Sequence, residues 1–386
     1  MSFQFDPDSR AFVDDPYPIY KILRDQHPVY RHEPSGFTIV TRFDDVAAIL
    51  NDYAAFSSSH GNALVDSPLR VGRTLGSTDP PRHDQLRHIV MKGFTPAKIQ
   101  AMQPEIKRRT ENVLGDFAER RECEFMADIA RPVLYGTLGR MLGLDGEAAD
   151  RATDLSREIF HTAAGALGPA SRPGLMEGVF ALLTEQLERR RADRGDDLFS
   201  FLLEAQEAGA QISDGEILGN MSTVLLAGNA SIGHFISNVI HALWLHPDQR
   251  ARLRGAPDRI DAAINEAVRW DTSTQAFGRT TTREVSLHGV TVPSGSRIVV
   301  CYAAANRDER ATADPDRFDI GRGRVRHFGF GSGPHICLGA TAARAMLRTI
   351  LEPLLDIAGD YDLDITRSER VGHMMVRGFY KLPMGW

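Results

Sequence analysis

Cysteine is scarce in this chain: 386 residues hold three, Cys123, Cys301 and Cys337. An odd, widely spaced set excludes a disulfide framework and points to a reducing compartment, the cytoplasm. Excess positive charge is missing too. The formal net charge is -6, so the overall balance offers nothing to a nucleic acid or an anionic membrane surface. There is no long unbroken apolar run. The most apolar stretch, Ile217 to Leu245, is interrupted by Asn220, Asn229, His234, Asn238 and His241. A membrane span tolerates such residues poorly, and the stretch reads instead as a helix buried in a large core. Met1 to Arg10 is polar and carries Asp6 and Asp8, which excludes a secretory signal of the usual design. Internal repeats, low-complexity tracts and a linker-like break in composition are also lacking. These absences together lead to the expectation of a soluble cytoplasmic protein, one domain over residues 1–386, without nucleic-acid or membrane partners.

Helical patterns fill most of the chain. They are expected over Pro16–Asp25, Phe43–Asn51, His83–Lys92, Pro96–Glu119, Phe125–Leu142, Glu147–Thr162, Pro173–Arg191, Asp197–Ala208, Asp258–Trp270 and Leu338–Leu355. Ser213-Asp214-Gly215-Glu216 is a capping box that opens the longest helix. His246-Pro247 closes it, after a span of roughly 45–50 Å. Short strand-like pieces appear at Val29–Arg31, Phe37–Val40, Val285–Leu287, Val290–Val292 and Arg297–Val300. Asn62 to Gly76, rich in Gly, Ser and Pro, is a long irregular segment of the kind that often carries function. The fold class is therefore mainly α with a small β-rich region.

Chemistry concentrates at Phe330-Gly331-Ser332-Gly333-Pro334-His335-Ile336-Cys337-Leu338-Gly339. A cysteine just ahead of a helix meets free N–H groups and positive potential, which favour a thiolate. Glycines on either side let the backbone fold under a flat ligand without Cβ clashes. Alone, a cysteine in a Gly-rich turn is usually structural. Three other constellations accompany this one. Glu266-Ala267-Val268-Arg269 sets an acid and a base one helical turn apart, with Asp314-Pro315-Asp316-Arg317-Phe318 downstream. His83 and Arg87, in Asp79-Pro80-Pro81-Arg82-His83-Asp84-Gln85-Leu86-Arg87, are i and i+4 and share a helix face. Within the longest helix stands Ala227-Gly228-Asn229-Ala230-Ser231.

The spacing Phe-x-x-Gly-x-x-x-Cys-x-Gly and the order of these motifs resemble the cytochrome P-450 superfamily over essentially the whole chain. The resemblance implies the cytochrome P-450 heme-thiolate fold, with Cys337 as the metal ligand, the proximal thiolate on iron. Heme b (iron protoporphyrin IX) is the cofactor so implied, cradled by Phe330, Gly331 and Gly339. His83, Arg87, Arg279 and His335 match family positions that bind the heme propionates. Glu266, Arg269 and Arg317 would form a buried structural network. The pocket would be lined from Asn62–Arg73, the Phe160–Met176 connection, Thr223–Ala227, Thr272–Phe277 and His373–Met375. Ala163-Ala164-Gly165-Ala166-Leu167-Gly168-Pro169 would serve as a lid or a plain connector.

Family members usually carry an acid and an alcohol where this chain reads Ala230-Ser231. Gly228 fits the place where the helix opens for oxygen, and Ser231 the hydroxyl that passes protons. Ala230 cannot replace a carboxylate. Two readings follow: a monooxygenase whose protons come through Ser231 with ordered water, or through Asn229, or else a peroxide-driven or oxidative-coupling enzyme. A third, from another class, is a heme sensor or ligand carrier, which normally needs an output domain that the sequence does not show. The expected reaction inserts one oxygen atom of O2 into a small organic substrate. With no flavin or iron–sulfur module visible, electrons are expected from a ferredoxin or flavodoxin and its NAD(P)H-dependent reductase. Arg322, Arg324 and Arg326, with Arg82, His88 and Lys92, form the candidate basic docking patch, or a solvated charged turn.

Overall fold

A computed structural model of the chain describes residues 3–117, 119–161, 174–371 and 373–386. The expected lid, 163–169, and most of the 160–176 connection lie outside the described residues.

The chain begins with α1 (Arg10–Asp14), α2 (Tyr17–Gln26), the hairpin β1 (Val29–His32) and β2 (Phe37–Val40), α3 (Phe43–Asn51) and β3 (Phe56–Ser57). A largely irregular stretch leads to α4 (Arg82–Met91) and α5 (Pro96–Phe117). Next come β4 (Glu122–Glu124), α6 (Arg131–Met141), α7 (Gly146–His161), α8 (Leu175–Ala192) and α9 (Leu198–Glu207). Helix α10 (Asp214–Leu245) is followed by α11 (Pro247–Ala251), α12 (Ile260–Trp270), β5 (Ala276–Thr281), β6 (Val285–Leu287), β7 (Val290–Val292) and β8 (Arg297–Cys301). The last elements are α13 (Tyr302–Asn306), α14 (Ala340–Ile357), β9 (Asp362–Leu363), β10 (Glu369–Arg370), β11 (Phe379–Lys381) and β12 (Pro383–Gly385). This is the mainly helical architecture with a small β region that the sequence implied.

Two boundaries differ in ways that matter. The run expected as one helix from Phe125 begins as a π-helical turn, Phe125–Ala130, and becomes regular only in α6. Glu124 caps that turn by accepting from the Met126 and Ala127 N–H groups. The helix after Cys337 starts at Ala340 rather than Leu338, with Gly339 as its N-cap. Cys337 therefore stands just outside the helix.

Helix α10 is the axis of the molecule. Its capping box forms as expected: Ser213 Oγ accepts from Glu216 N–H, and Glu216 Oε2 accepts from Ser213 N–H at 2.9 Å. Arg82 adds a charge-assisted clamp on Glu216 at 2.6 Å, tying α4 to the start of α10. The first half of α10 packs Ile217, Met221 and Leu225 into one core with α8 and α9. Its second half packs Phe235, Val239 and Leu243 into another with α5, α12 and α14. The helix is long and apolar enough to cross a membrane, but about two thirds of its apolar window (65%) is buried inside the protein. That is the pattern of a core helix.

The main sheet runs β1-β2-β8-β5-β3, with β2 and β8 parallel and the other pairs antiparallel. Its use to the site is positional. Arg279 on β5 stands opposite Ile298 on β8, which fixes the guanidinium at the cavity edge.

Candidate active site

A cavity of about 380 Å³ lies between α10 and the Cys337 loop. Cys337 is exposed, yet the surface it meets is this cavity's wall, where Phe330, Gly331 and Gly339 flank it. The loop is shaped by backbone bonds: Gly331 N–H donates to Phe328 O at 2.8 Å, and Cys337 N–H donates to Phe330 O at 2.8 Å. Gly331 and Gly333 adopt φ of 72° and 67°, a region that suits glycine. A Cβ on Gly333 would stand 2.3 Å from Leu50 O, while one on Gly339 would meet nothing within 4 Å. Gly339 thus leaves open room beside the sulfur, as the approach of a flat group requires.

The thiol itself departs from expectation. Burial pushes the Cys337 pKa up, and the helix-start N–H groups of Gly339 and Ala340, with Arg87 and Arg344, only partly offset this. The protein alone therefore favours the thiol; a metal bound at the sulfur would remove the proton.

Four nitrogen donors gather at this cavity. His83, Arg87, Arg279 and His335 all line it, as their resemblance to propionate-binding positions implied. The rings of His83 and His335 are 4.5 Å apart. His335 Nδ1 donates to Leu75 O at 3.1 Å, and His83 Nδ1 engages Asp84 Oδ1 at 2.9 Å. His83 Nε2 is buried without a hydrogen-bond partner, and His335 Nε2 meets only Asp79 Oδ1, at 3.9 Å. Orphaned buried nitrogens beside two guanidiniums are the donor set that two carboxylates would satisfy. One soft sulfur on a wall and these donors at the rim fit an iron porphyrin with two propionates.

The scaffold behind the sulfur is the Glu266–Arg269 pair on α12. Arg269 makes a two-pronged bond to Glu266, 2.8 Å at each nitrogen, and both side chains are buried. Arg269 also donates to the carbonyls of Asn306 and Pro315. The third arginine is not Arg317, whose side chain is 65% exposed and reaches only Asp319. It is Arg322, 15% exposed, whose Nε donates to Glu266 Oε1 at 3.2 Å. Arg317 contributes its carbonyl, which accepts from both Arg269 and Arg322. The turn between them curls so that the later guanidinium points inward. Asn306 Oδ1 accepts from Phe328 N–H at 2.6 Å, and a Cβ at Gly329 would lie 2.8 Å from Val268. The sulfur loop is thereby seated directly on this network.

Arg322 and Arg82 are thus committed to internal contacts and leave the basic patch. Arg324, Arg326, His88 and Lys92 remain exposed.

Across the cavity, α10 presents Gly228 and Ser231. The helix does not open here; it is continuous from Asp214 to Leu245. Ser231 Oγ donates to the Ala227 carbonyl, one turn back. Gly228 has a packing reason instead: a Cβ there would come within 2.6 Å of Leu138 on α6. Asn229 does not join this set. It is buried on another face of α10, with Nδ2 donating to Ser156 Oγ at 3.0 Å. The Ala230 side chain lies outside the described residues.

The remaining walls follow the expected segments in part. Val65, Asp66, Arg70, Thr223, Phe277 and Met375 line the cavity. Thr272 turns inward to Val268 O, Gln275 is taken by the Tyr20 hydroxyl, and His373 is buried elsewhere. Leu138, Met141 and Phe235 line it unannounced, because their apolar helical spacing is indistinguishable from core. Asn220 was also missed. Its Oδ1 accepts from Leu75 N–H at 3.0 Å, strapping the irregular 62–76 stretch onto α10. A lone Asn on a long apolar helix was the available signal.

Known proteins resemble the whole chain. The family model described as Cytochrome P450 matches residues 174–357. "Putative cytochrome P450 123" of Mycobacterium tuberculosis is 32% identical, covering 98% of this chain and 96% of that protein. "Cytochrome P450 monooxygenase PikC" of Streptomyces venezuelae is 30% identical, covering 97% and 92%. Among solved structures, P450BioI in complex with an acyl carrier protein ligated to hexadec-9Z-enoic acid superposes with TM-score 0.88. That structure is 26% identical, over 98% of this chain and 100% of the other.

Proposed function

This chain belongs to the cytochrome P450 family of heme monooxygenases, and on that footing we propose the particulars of its reaction. Residues 1–386 act as one domain. The heme is heme b, Cys337 is its thiolate ligand, and His83, Arg87, Arg279 and His335 hold its propionates. One atom of O2 enters a predominantly apolar small organic substrate and the other leaves as water. The electrons come from a ferredoxin or flavodoxin served by an NAD(P)H-dependent reductase, docking near Arg324, Arg326, His88 and Lys92. The enzyme works in the cytoplasm, in keeping with three free cysteines.

The observation that carries this reading is the single cavity that brings Cys337, the four nitrogen donors and Ser231 together. Heme, when bound, supplies O2 binding and activation. The chain supplies the rest. Arg269 and Glu266 hold the sulfur loop rigid, so the ligand is preorganised. Apolar walls such as Val65, Val224 and Phe277 displace water around the substrate. Ser231 Oγ, anchored on Ala227 O, keeps both lone pairs turned outward as acceptors for a water at the reacting face.

The peroxide-driven and oxidative-coupling alternative gains no support, since the relative named above for a chemistry is a monooxygenase. A spin-state titration tests the reading. Apolar molecules that fit should convert the ferric protein from low to high spin by displacing water. Reductant consumption should then follow with product; a protein that never consumes reductant with any such ligand bound would be a carrier instead.

A further inference from the structure

Helix α10 has a second cavity on its other side, also of about 380 Å³. Its walls include Asn229 and His234 of α10, Ser156 of α7, and Glu369, Tyr380 and Lys381 from β10 and β11. At this cavity Asn229 Oδ1 is buried without a hydrogen-bond partner, and the His234 ring has only a weak backbone contact at Phe379. Asn229 and His234 are only 5% and 4% exposed. Leaving such atoms unpaired is costly, and a cavity of this size has room for water that would pair them.

The first cavity has the opposite problem. Reducing one oxygen atom to water consumes two protons per turnover, and Ser231 has already given its O–H to Ala227 O. Asp66 is the one carboxylate among the described residues that line that cavity, and it is occupied by Arg70 at 3.2 Å and by neighbouring backbone N–H groups. His83, Arg87, Arg279 and His335 there are assigned above to the propionates. Position 230, where the family usually keeps an acid, is alanine.

We propose that the second cavity is a water-filled proton antechamber, and that Asn229 and His234 are positioning residues which pass protons from it around α10 to the Ser231 side. This rests on the monooxygenase reading. Protons enter from solvent at the Glu369, Tyr380 and Lys381 rim. Water held by His234 carries them inward, the ring accepting at one nitrogen as it releases at the other. Burial, with His373 and Arg131 nearby, pushes the His234 pKa down to about 3, so the ring stays neutral and relays without storing charge. Ser156 fixes the Asn229 amide, leaving Oδ1 to order the water where the path leaves the antechamber. Per turnover the balance is RH, O2, two electrons from the external carrier and two protons, giving ROH and water.

The test compares wild type with Asn229→Leu, His234→Phe and Ser156→Ala, the last removing the anchor while keeping the amide. Product and H2O2 are measured per pair of electrons, with O2 plus reductase and then with H2O2, which brings its own protons. A high-resolution crystal structure of the wild-type holoenzyme supplies a readout apart from activity. The expectation is about a tenfold fall in product per electron pair for Asn229→Leu and His234→Phe, with H2O2 rising to match. Ser156→Ala falls less. Peroxide-driven turnover stays within about twofold, since a merely structural defect would lower both modes together. Ordered waters sit on Asn229 Oδ1 and His234. Unchanged coupling in all three variants, equal loss in both modes, or a dry cavity overturns the proposal. Wild-type product formation from O2 tests the monooxygenase reading separately, and the crystallographic waters judge the cavity even if that reading fails.

Discussion

The region beneath the sulfur and the region behind α10 treat buried polar groups in opposite ways. Beneath the sulfur, Glu266 accepts from Arg269, Arg322 and the Asp319 N–H, while Arg269 also binds three carbonyls. Behind α10, Asn229 Oδ1 has no hydrogen-bond partner and the His234 ring only a weak backbone contact at Phe379. A saturated network resists rearrangement, so it can hold a metal ligand still. Open polar atoms beside a cavity invite water, which can move. The contrast separates what the fold must keep fixed from what the reaction must let through.

Breaking the saturated side should have the largest effect. Arg269→Leu removes the two-pronged partner of the buried Glu266 carboxylate, and we expect a loss of about 3–5 kcal/mol of stability together with heme retention, read by denaturant unfolding and heme content. At the cavity edge, Arg279→Leu removes a charge-assisted donor. Heme affinity should drop by about 1.5–3 kcal/mol, measured as faster heme transfer to an acceptor protein, with the fold intact. On the reacting face, Ser231→Ala should cut product per electron pair by about tenfold while leaving substrate binding nearly unchanged, and Ser231→Thr should restore it.

The open side predicts an acid response. Burial lowers the pKa of His234 from 6.5 to about 3 and that of His373 from 6.5 to about 4. The unfolded chain therefore binds protons that the folded one refuses. Stability is full above about pH 6.5 and falls as pH drops toward 4 and then 3, by about 1.4 kcal/mol per pH unit per histidine. His234→Phe should flatten part of that slope in pH-dependent unfolding. Arg317→Ala should do least, changing stability by less than about 0.5 kcal/mol. A large loss there would restore Arg317 to the network in place of Arg322.

Legibility in the sequence followed the same divide. The sulfur loop is a short motif with fixed spacing, and His83, Arg87, Arg279 and His335, named from the family resemblance, all line the cavity beside it. The choice between Arg317 and Arg322 was not legible, since both follow Pro315 closely and only the curl of the turn decides which guanidinium reaches Glu266. Asn229 was placed on the reacting face although helical geometry argues otherwise: two residues before Ser231, it is turned by about 200° from it. The opening at Gly228 was read from a resemblance, whereas the glycine answers to Leu138 on a neighbouring helix, which local sequence cannot show. The π-helical turn at Phe125–Ala130 hides because its apolar spacing is also compatible with an ordinary helix.

The account stands on Cys337 as the iron ligand, and the absorption spectrum of the reduced, carbon-monoxide-bound protein tests that most directly. Wild type should show the long-wavelength Soret band of a thiolate-ligated heme, and Cys337→Ser should bind heme without it. A wild-type spectrum lacking that band, or a Cys337→Ser spectrum keeping it, would contradict the account.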